Sequence, residues 1–232
     1  MAIGLTLRAR QAGVLLHDAY YRNTITAMAS LPREKFIPRR SRKAAYSPMP
    51  LRIGWDQTIS DPRIVAVMTA AARVEAGQAI LEIGTGSGYQ AAVLARLGAH
   101  VATIEIVPQL SHHAQTILKR LHVDGVDFRI GDGFHGWREK APFDAVIVTA
   151  GAAKVPDALL DQVKIGGRLV MPIGPSAITE QILVYTKFAG GRTETCSLGA
   201  ASFVPLTGKG RTEEVSSPID GTIPLCYGAP VT

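Results

Sequence analysis

The stretch LEIGTGSGY, residues 81–89, constrains the fold of this chain more than any other part of the sequence. An apolar run ends at Gly84, and Gly86 and Gly88 follow directly before the helical pattern YQAAVLARLG. Glycine has no Cβ atom, so its backbone can adopt positive φ and lets a ligand approach closely. A buried strand, a glycine turn and a helix in this order predict a ligand site at the end of the strand.

A carboxylate follows this turn at the distance expected for a ribose contact. Glu105 ends the next apolar run, HVATIEI, 21 residues after Gly84. An acid at the end of the neighbouring strand can accept hydrogen bonds from ribose hydroxyls. The glycines alone could serve only as a tight connection, but together with Glu105 they favour an adenosine-type cofactor.

The spacing of the glycines separates two classes of cofactor. Dinucleotide-binding proteins use Gly-x-Gly-x-x-Gly to seat a pyrophosphate at the N-terminus of a helix. Here the third glycine comes one residue early, at Gly88, and Tyr89 occupies the expected glycine position. The pattern resembles that of S-adenosylmethionine-dependent methyltransferases, whose cofactor has no pyrophosphate. The cofactor-binding residues predicted in this stretch are Glu82, Gly84, Thr85, Gly86 and Gly88.

The rest of the chain predicts an α/β protein with a doubly wound, mostly parallel sheet. Strand patterns (QAILEIG, HVATIEI, VDFRI, FDAVIVTA, GGRLVMPIG) and helix patterns (YQAAVLARLG, PQLSHHAQTILKRL, PDALLDQVK) alternate between residues 78 and 174. This alternation is typical of a parallel sheet covered by helices on both faces. After residue 180, QILVYTKF and CSLGAASFVPL predict antiparallel strands.

These patterns divide the chain into one domain and a tail. We expect a single methyltransferase domain over residues 1–208, followed by an irregular tail at 209–232, which is rich in Gly, Pro, Ser and Thr. Within the domain, residues 1–60 carry N-terminal helices and a substrate loop, residues 61–174 form the cofactor-binding core, and residues 175–208 add the C-terminal β elements.

Two more groups lie where parallel strands end. In GDG at 131–133, Asp132 can accept a hydrogen bond from an adenine amine, and Gly133 leaves room for the ring. Asp132 could equally serve as a helix N-cap, and the two roles are compatible. Thr149 and Ala150 follow FDAVIV, at the edge of the sheet where open α/β proteins bind ligands.

The composition argues against other classes of partner. No run approaches the roughly 18 apolar residues of a membrane span, and the N-terminus lacks a signal-peptide core. The net charge is +6, and its one basic cluster, PRRSRK at 38–43, has no interleaved aromatic residues. Such a cluster is typical of a solvated loop, although it could attract acidic peptides. We expect neither a nucleic acid nor a membrane as partner.

The cysteines and histidines predict no metal site. Cys196 and Cys226 are too few for a disulfide scaffold and lack metal-ligand spacing, so we expect an ordinary strand residue and an ordinary tail residue in a reducing cytoplasm. His112 and His113 are adjacent on a predicted helix. They therefore point about 100° apart and make a poor pair of ligands.

Seven motifs together resemble protein-L-isoaspartate O-methyltransferases. They are LPREKFIP (31–38), IGWDQTIS (53–60), LEIGTGSGYQAAVLA (81–95), GDG (131–133), APFDAVIVTA (141–150), GGRLVMPIG (166–174) and FVPLTG (203–208). The motifs follow the family's order over roughly residues 5–208. LEIGTGSG alone is found in many methyltransferases, whereas QTIS combined with FVPLTG is specific to this family.

The resemblance implies an activity and a set of site residues. The activity is transfer of a methyl group from S-adenosylmethionine to the α-carboxylate of L-isoaspartyl residues in damaged proteins or peptides. The ester then closes to a succinimide, whose hydrolysis restores some normal aspartyl linkage. Separately from the resemblance, we expect a monomer. The resemblance implies Ser60 as the catalytic residue, Gln57, Thr58, Ile59, Glu105, Ile106, Asp132, Gly133 and Thr207 as cofactor contacts, and Thr58, Ser60, Val204 and Leu206 as substrate contacts.

The stretch GWDQTISDP also begins a helix. Pro62 suits the first helical position and Asp61 the N-cap, which leaves the Ser60 hydroxyl free for a ligand. Arg52 and Asp56 depart from the family pattern, as does Pro48, which stands where an acid is common. Two alternatives therefore stay open: a methyltransferase for a dedicated peptide or small molecule, and an inactive cofactor-binding module.

Overall fold

The computed structural model of the protein describes residues 16–174, 179–208 and 223–227. Within them the strands are β1 (Leu51–Gly54), β2 (Gln57–Ile59), β3 (Ala79–Ile83), β4 (His100–Glu105), β5 (Val126–Ile130), β6 (Phe143–Val148), β7 (Val163–Ile173), β8 (Glu180–Lys187) and β9 (Thr193–Ala201). The helices are α1 (Ala19–Ala29), α2 (Pro62–Ala71), α3 (Tyr89–Arg96), α4 (Pro108–Arg120) and α5 (Asp157–Asp161). Short 3₁₀ segments span Arg33–Phe36, Arg39–Ala44, Gly133–His135, Arg138–Lys140 and Ala189–Gly191.

The main sheet confirms the predicted fold class. Its strand order is β5-β4-β3-β6-β7-β8-β9, and the first five of these strands are parallel. Strands β8 and β9 form the predicted antiparallel elements at one edge. The chain leaves β3 toward β4 on one side and returns to β6 on the other, so the sheet has a switch point between β3 and β6. Ligands bind outside the carboxyl ends of strands at such a point.

Side chains of the central strands alternate between two apolar layers. Ile80 and Ala145 belong to a buried cluster with residues of α2 and α3, whereas Leu81 and Val146 belong to a second cluster on the opposite face with Leu159 of α5. Neighbouring residues of a strand point to opposite faces, so a sheet covered on both sides needs such continuous apolar runs. The buried sheet holds the turns at its carboxyl edge in place.

The stretch 51–59 forms a hairpin rather than the predicted loop. Strands β1 and β2 are antiparallel, with Leu51 opposite Ile59. At the tip, Trp55 and Asp56 adopt positive φ values of 48° and 55°. Asp61 then caps α2 as predicted, because its carboxylate accepts a hydrogen bond from the Arg63 amide at 2.8 Å.

Other differences from the sequence prediction are local. Helix α5 is shorter than PDALLDQVK, because β7 already begins at Val163. Helix α1 confirms one N-terminal helix, capped by Asp18, whereas the prediction for residues 1–15 lies outside the described residues, as do 209–222 and 228–232 of the predicted tail. Among the described residues, no helix combines the length and apolar character needed to cross a membrane.

The expectation that Cys196 and Cys226 are ordinary residues is wrong. The two form a disulfide that joins β9 to the segment 223–227. Beside it, the Ser197 amide donates to the Pro224 carbonyl at 2.8 Å, and the Cys226 amide donates to the Ser197 carbonyl at 2.9 Å. This part of the tail therefore pairs with the last strand of the sheet at Ser197, next to the disulfide.

Candidate active site

A cleft opens at the carboxyl ends of β3, β4 and β6. It consists of two adjoining cavities that are open to solvent and share part of their lining. The residues lining both cavities are Thr58, Ser60, Gly84, Gly86 and Thr149. The end of the hairpin, the glycine turn and the end of β6 thus meet at one place.

Most of the residues predicted for the site meet in this cleft. The lining includes Gln57, Thr58, Ile59, Ser60, Gly84, Thr85, Gly86, Glu105, Ile106, Gly133, Val204, Leu206 and Thr207. They come from stretches of sequence as far apart as the hairpin and FVPLTG, so the fold brings together the motifs that carry the resemblance. Three predicted residues lie outside the lining: Glu82, Gly88 and Asp132.

Thr149 packs against the glycine turn and is hydrogen-bonded to it. Gly84 has φ of 94°, and a Cβ atom there would lie 2.5 Å from the Thr149 Oγ1. That hydroxyl is hydrogen-bonded to the Gly84 carbonyl at 2.8 Å. Gly84 is therefore required both for its backbone conformation and for this close approach. Thr149 lines the cleft, as its place at the end of β6 suggested.

Glu105 presents a buried carboxylate to the cleft. Its Oε2 accepts a hydrogen bond from the Gly86 amide at 2.7 Å, and its Oε1 accepts one from the Val107 amide at 2.9 Å. Each carboxylate oxygen keeps a further lone pair, because it can accept two hydrogen bonds. A diol that donates two hydrogen bonds, such as a ribose, fits this arrangement.

Asp132 lies behind the cleft wall. Its Oδ1 accepts a hydrogen bond from the Phe134 amide at 2.9 Å, so it caps the 3₁₀ segment, which is the alternative role predicted for it. Gly208 packs against the same carboxylate, since a Cβ atom there would lie 2.5 Å from Oδ2. Asp132 thereby supports the neighbouring Thr207, which lines the cleft.

Glu82 is buried beneath the glycine turn instead of facing the cleft. It has no exposed surface, and its Oε2 lies 2.5 Å from the Thr103 hydroxyl, which in turn lies 2.7 Å from the Thr85 hydroxyl. Burial raises the pKa of Glu82 to about 8, so the carboxyl is mostly protonated at neutral pH. Glu82 thus supports the turn through two threonines.

Gly88 packs against a helix. It has φ of 82°, and a Cβ atom there would lie 2.9 Å from both the Ala114 Cβ and the Leu118 Cδ1 of α4. Its role in the structure is the close packing of the turn on α4, rather than a direct contact within the cleft.

The segment 203–208 forms one wall of the cleft. The Gly151 amide donates to the Val204 carbonyl at 2.9 Å, and the Leu206 amide donates to the Gly151 carbonyl at 2.7 Å. These bonds attach the wall to the end of β6. Because they occupy two backbone groups of FVPL, a bound peptide would have to use the other edge of this segment.

Several lining residues were not predicted. They are Ile64, Val65 and Met68 of α2, Tyr89 and Gln90 of α3, and Ser87, Ile83, Ile104 and Pro205. Apart from Gln90, the helix residues follow an apolar pattern that also fits an ordinary core, so the sequence gives no signal that separates the two roles. Among the described residues, no cluster of three or more His, Cys, Asp or Glu side chains could hold a metal ion.

Comparisons with known proteins identify the family to which this chain is similar. The family model described as protein-L-isoaspartate(D-aspartate) O-methyltransferase matches residues 5–211. A protein-L-isoaspartate O-methyltransferase of Opitutus terrae is 51% identical over 184 residues, which are 79% of this chain and 78% of that protein.

Two solved structures share the fold. One is a protein-L-isoaspartate O-methyltransferase with a TM-score of 0.74 at 26% identity. The match covers 86% of this chain and 67% of that chain. A second, from Plasmodium falciparum in complex with S-adenosyl-L-homocysteine, has a TM-score of 0.69 at 24% identity. This match covers 83% of this chain and 96% of that chain. At that identity, the second comparison bears on the fold alone.

Proposed function

Because this chain belongs to the protein-L-isoaspartate(D-aspartate) O-methyltransferase family, we propose that its cleft methylates the α-carboxylate of L-isoaspartyl residues in damaged proteins or peptides. The single observation that carries the proposal is the meeting of Ser60, the glycine turn and Glu105 in one cleft. Together they supply a hydroxyl for the substrate and a carboxylate for the cofactor.

The residues of the cleft suit S-adenosylmethionine. Glu105 would hold the ribose hydroxyls, and the open backbone at Gly84 and Gly86 would let the cofactor approach the end of β3. Ile106 and Gly133 would flank the adenine, with Asp132 supporting that wall. When bound, the cofactor supplies a methyl group on a sulfonium, which is already an activated leaving group.

The chemistry requires little from the protein beyond alignment. An α-carboxyl has a pKa of about 3.3–3.7, so at neutral pH it is ionised and needs no general base. The substrate carboxylate bonds to the methyl carbon as the bond between that carbon and sulfur breaks. Holding the reacting atoms in line can contribute about 7–11 kcal/mol when the geometry is near ideal.

Ser60 is suited to orient the substrate carboxylate. Ser60 lines both cavities, and Asp61 is the residue that caps α2, so the Ser60 hydroxyl is not used by the helix end. A hydroxyl can donate a hydrogen bond to one carboxylate oxygen without a lasting charge that would hold the nucleophile in an ion pair. Thr58, Val204 and Leu206 would contact the rest of the substrate peptide.

The departures at the hairpin tip do not alter the lining of the cleft. Arg52 Nη1 and Asp56 Oδ1 lie 3.7 Å apart, with 80% and 98% of their side chains exposed. Exposed pairs of this kind interact weakly, by about 0–1 kcal/mol. The carboxylate of Asp56 therefore lies in solvent beside the opposite charge of Arg52, which supports an isoaspartyl substrate rather than a dedicated one.

The oligomeric state and the compartment are further parts of the proposal. A monomer would suffice, because the described residues of one chain bring Ser60, the glycine turn and Glu105 together in the cleft. The expectation of a cytoplasmic location rested in part on unpaired cysteines. Cys196 and Cys226 form a disulfide instead, and disulfides are rare in the cytosol, so the cysteines no longer favour that location. Light scattering measures the mass, and thiol trapping during cell fractionation measures both the compartment and the redox state.

One assay tests the activity. The full chain is incubated with methyl-labelled S-adenosylmethionine and with matched peptides that contain either L-isoaspartate or L-aspartate. We expect base-labile methyl ester on the isoaspartyl peptide alone. Equal labelling of both peptides, or of neither, would contradict the proposal.

A further inference from the structure

Arg33 carries a fully buried charge beside the cleft. Its relative exposure is 0%, and neighbours such as Phe36, Ala45 and Tyr89 belong to an apolar cluster. A buried guanidinium is costly unless its donors are satisfied. In the described part of the chain, its Nε and Nη2 donate to two backbone carbonyls rather than to a carboxylate, while its buried Nη1 has no hydrogen-bond partner.

The guanidinium links three separate parts of the chain. Its Nε donates to the Ala45 carbonyl at 2.7 Å, and its Nη2 donates to the Ser60 carbonyl at 2.5 Å. Its Cζ lies 4.7 Å from the centre of the Tyr89 ring. That ring is held from another side by Phe36, edge-on at 5.2 Å. The guanidinium is planar and its donors have a fixed geometry, so a shift of one partner disturbs the contacts with the others.

The partners of Arg33 lie on both sides of the reaction. Ser60 ends the hairpin and belongs to the proposed substrate side, whereas Tyr89 begins α3 directly after the glycine turn and belongs to the cofactor side. Both residues line the cleft. One buried side chain therefore contacts both the Ser60 backbone and the start of α3.

Stability alone does not account for a charge at this position. Replacing buried ionic groups with apolar ones of similar volume is often neutral for stability or even favourable. Burial also lowers the pKa of the Arg33 guanidinium, although arginine remains protonated in proteins. By contrast, a displacement of about 1 Å at a reacting group can reduce the rate about 100-fold.

We propose that Arg33 is a positioning residue for methyl transfer, which fixes the Ser60 backbone relative to α3 and so aims the Ser60 hydroxyl at the substrate carboxylate. This inference rests on the function proposed above for Ser60. It predicts that the effect of Arg33 on the rate passes through the Ser60 hydroxyl.

A double-mutant cycle tests that coupling. Arg33→Met, Arg33→Lys and the control Arg63→Met are each made in the wild-type and Ser60→Ala backgrounds. Arg63 is the matched control because its guanidinium contacts Asp61, the residue that follows Ser60, at 2.6 Å. It also donates to the Pro48 carbonyl at 3.2 Å. Single-turnover methylation of an isoaspartyl peptide by labelled S-adenosylmethionine gives the rate. Calorimetry with S-adenosylhomocysteine gives the cofactor-site affinity.

We expect the loss to lie in the rate of transfer. Arg33→Met should lower the single-turnover rate about 10–100-fold while the Kd for S-adenosylhomocysteine stays within about threefold. Arg33→Lys should recover part of the rate, and Arg63→Met should stay within about twofold of wild type. In the Ser60→Ala background, Arg33→Met should cause less than about a threefold further loss, because the hydroxyl that it positions is absent.

Other results overturn the inference. An equal loss in both backgrounds, or a loss of affinity that parallels the loss of rate, would mean that Arg33 only stabilises the fold. If circular dichroism finds Arg33→Met unfolded, the cycle with Arg33→Lys is judged by the same criteria. A wild-type protein that methylates no isoaspartyl peptide would instead overturn the proposed function, and the inference with it.

Discussion

The backbone amide of Gly86 donates a hydrogen bond to the Glu105 carboxylate, 2.7 Å away, across the turn that joins β3 to α3. The contact locks the glycine turn onto the end of β4. It also aims the remaining lone pairs of the carboxylate at the cleft. One side chain therefore both fixes the glycine turn and lines the cleft, where the proposed function has it hold the cofactor.

Glu105→Gln should weaken cofactor binding. The amide group keeps the size of the side chain, but its NH₂ end would face the backbone donor of Gly86 or of Val107. Loss of a hydrogen bond to a charged group costs about 1.5–3 kcal/mol, which corresponds to about 10–150-fold in affinity. Calorimetry with S-adenosylhomocysteine measures the change. The exposed Glu194→Gln, whose partner is Arg192, is the control, and equal affinities for the two variants would refute the role of Glu105.

Ser60→Ala should remove activity without loss of the fold. Removing one hydrogen-bond donor that acts on the reacting group typically costs about 100–1000-fold in kcat. Binding of S-adenosylhomocysteine and the melting temperature should stay close to those of wild type, because Asp61 still caps α2. Steady-state methylation of an isoaspartyl peptide measures the loss, with Ser47→Ala as the control. Turnover within a few-fold of wild type would exclude Ser60 as the catalytic residue.

Gly88→Ala should destabilise the protein through packing. Gly88 and Gly166 both have φ of 82°, but a Cβ atom would clash with α4 only at Gly88 and meets open space at Gly166. Gly166→Ala therefore reports the backbone strain alone. The additional loss in unfolding free energy at Gly88 should be about 1–3 kcal/mol, as for other overpacked sites. Urea denaturation measures both variants, and equal losses would rule out the packing role.

Glu82 should make stability fall as pH rises. Its pKa is about 8 in the folded protein, against 4.5 for an exposed glutamate. Between these values the unfolded chain releases a proton that the folded protein keeps, so the unfolding free energy declines by about 1.4 kcal/mol per pH unit. The contribution is complete below the lower pKa and is lost above the higher one.

Glu82→Gln should remove that slope. Urea unfolding of wild type and variant from about pH 5 to about pH 8 measures the difference between the two slopes. The exposed Glu194→Gln should keep the wild-type slope. A Glu82→Gln slope that matches wild type would show that Glu82 does not hold its proton in the folded state.

Cys226→Ser should destabilise the protein and remove its response to reductant. The disulfide closes a loop of 30 residues, and a loop of that size contributes about 2–4 kcal/mol to the free energy of unfolding. Thermal unfolding with and without dithiothreitol measures the effect. Wild type should approach the variant on reduction, while the variant should not respond. A wild-type melting temperature that ignores reductant would contradict a stabilising disulfide.

Much of the fold could be predicted because period and composition determine it locally. Strands β3 to β6 follow the apolar runs closely, since a parallel sheet buried on both faces needs continuous apolar residues. The end of α3 was also local information, because Gly98 follows the last helical turn with φ of 87°.

The hairpin and the disulfide depended on tertiary structure. The tip carries Trp55 and Asp56 at positive φ, where Asn-Gly or Asp-Gly would have given a signal. Cys196 and Cys226 are separated by 30 residues, and nothing in that spacing states that the tail returns to β9.

For the site, the motifs predicted which residues line the cleft better than they predicted which residues support that lining from behind. Glu105 and Ser60 lie in the cleft as expected, because the ends of strands and the residue before an N-cap have defined places. Glu82 belongs to the same motif as the glycines, yet its carboxyl points into the sheet. Arg33 could not be assigned from sequence, because Ser60 lies 27 positions away and Tyr89 lies further still.

The covalent link between β9 and the tail has a consequence for a nicked protein. Along the chain, Cys196 precedes and Cys226 follows the segment 203–208, which forms one wall of the cleft. A protease that cuts once between residues 208 and 223 would therefore leave a single molecule, with both pieces joined through sulfur. The cut would become visible on a denaturing gel only after reduction, so such a nick in a repair enzyme would pass unnoticed in an oxidising preparation.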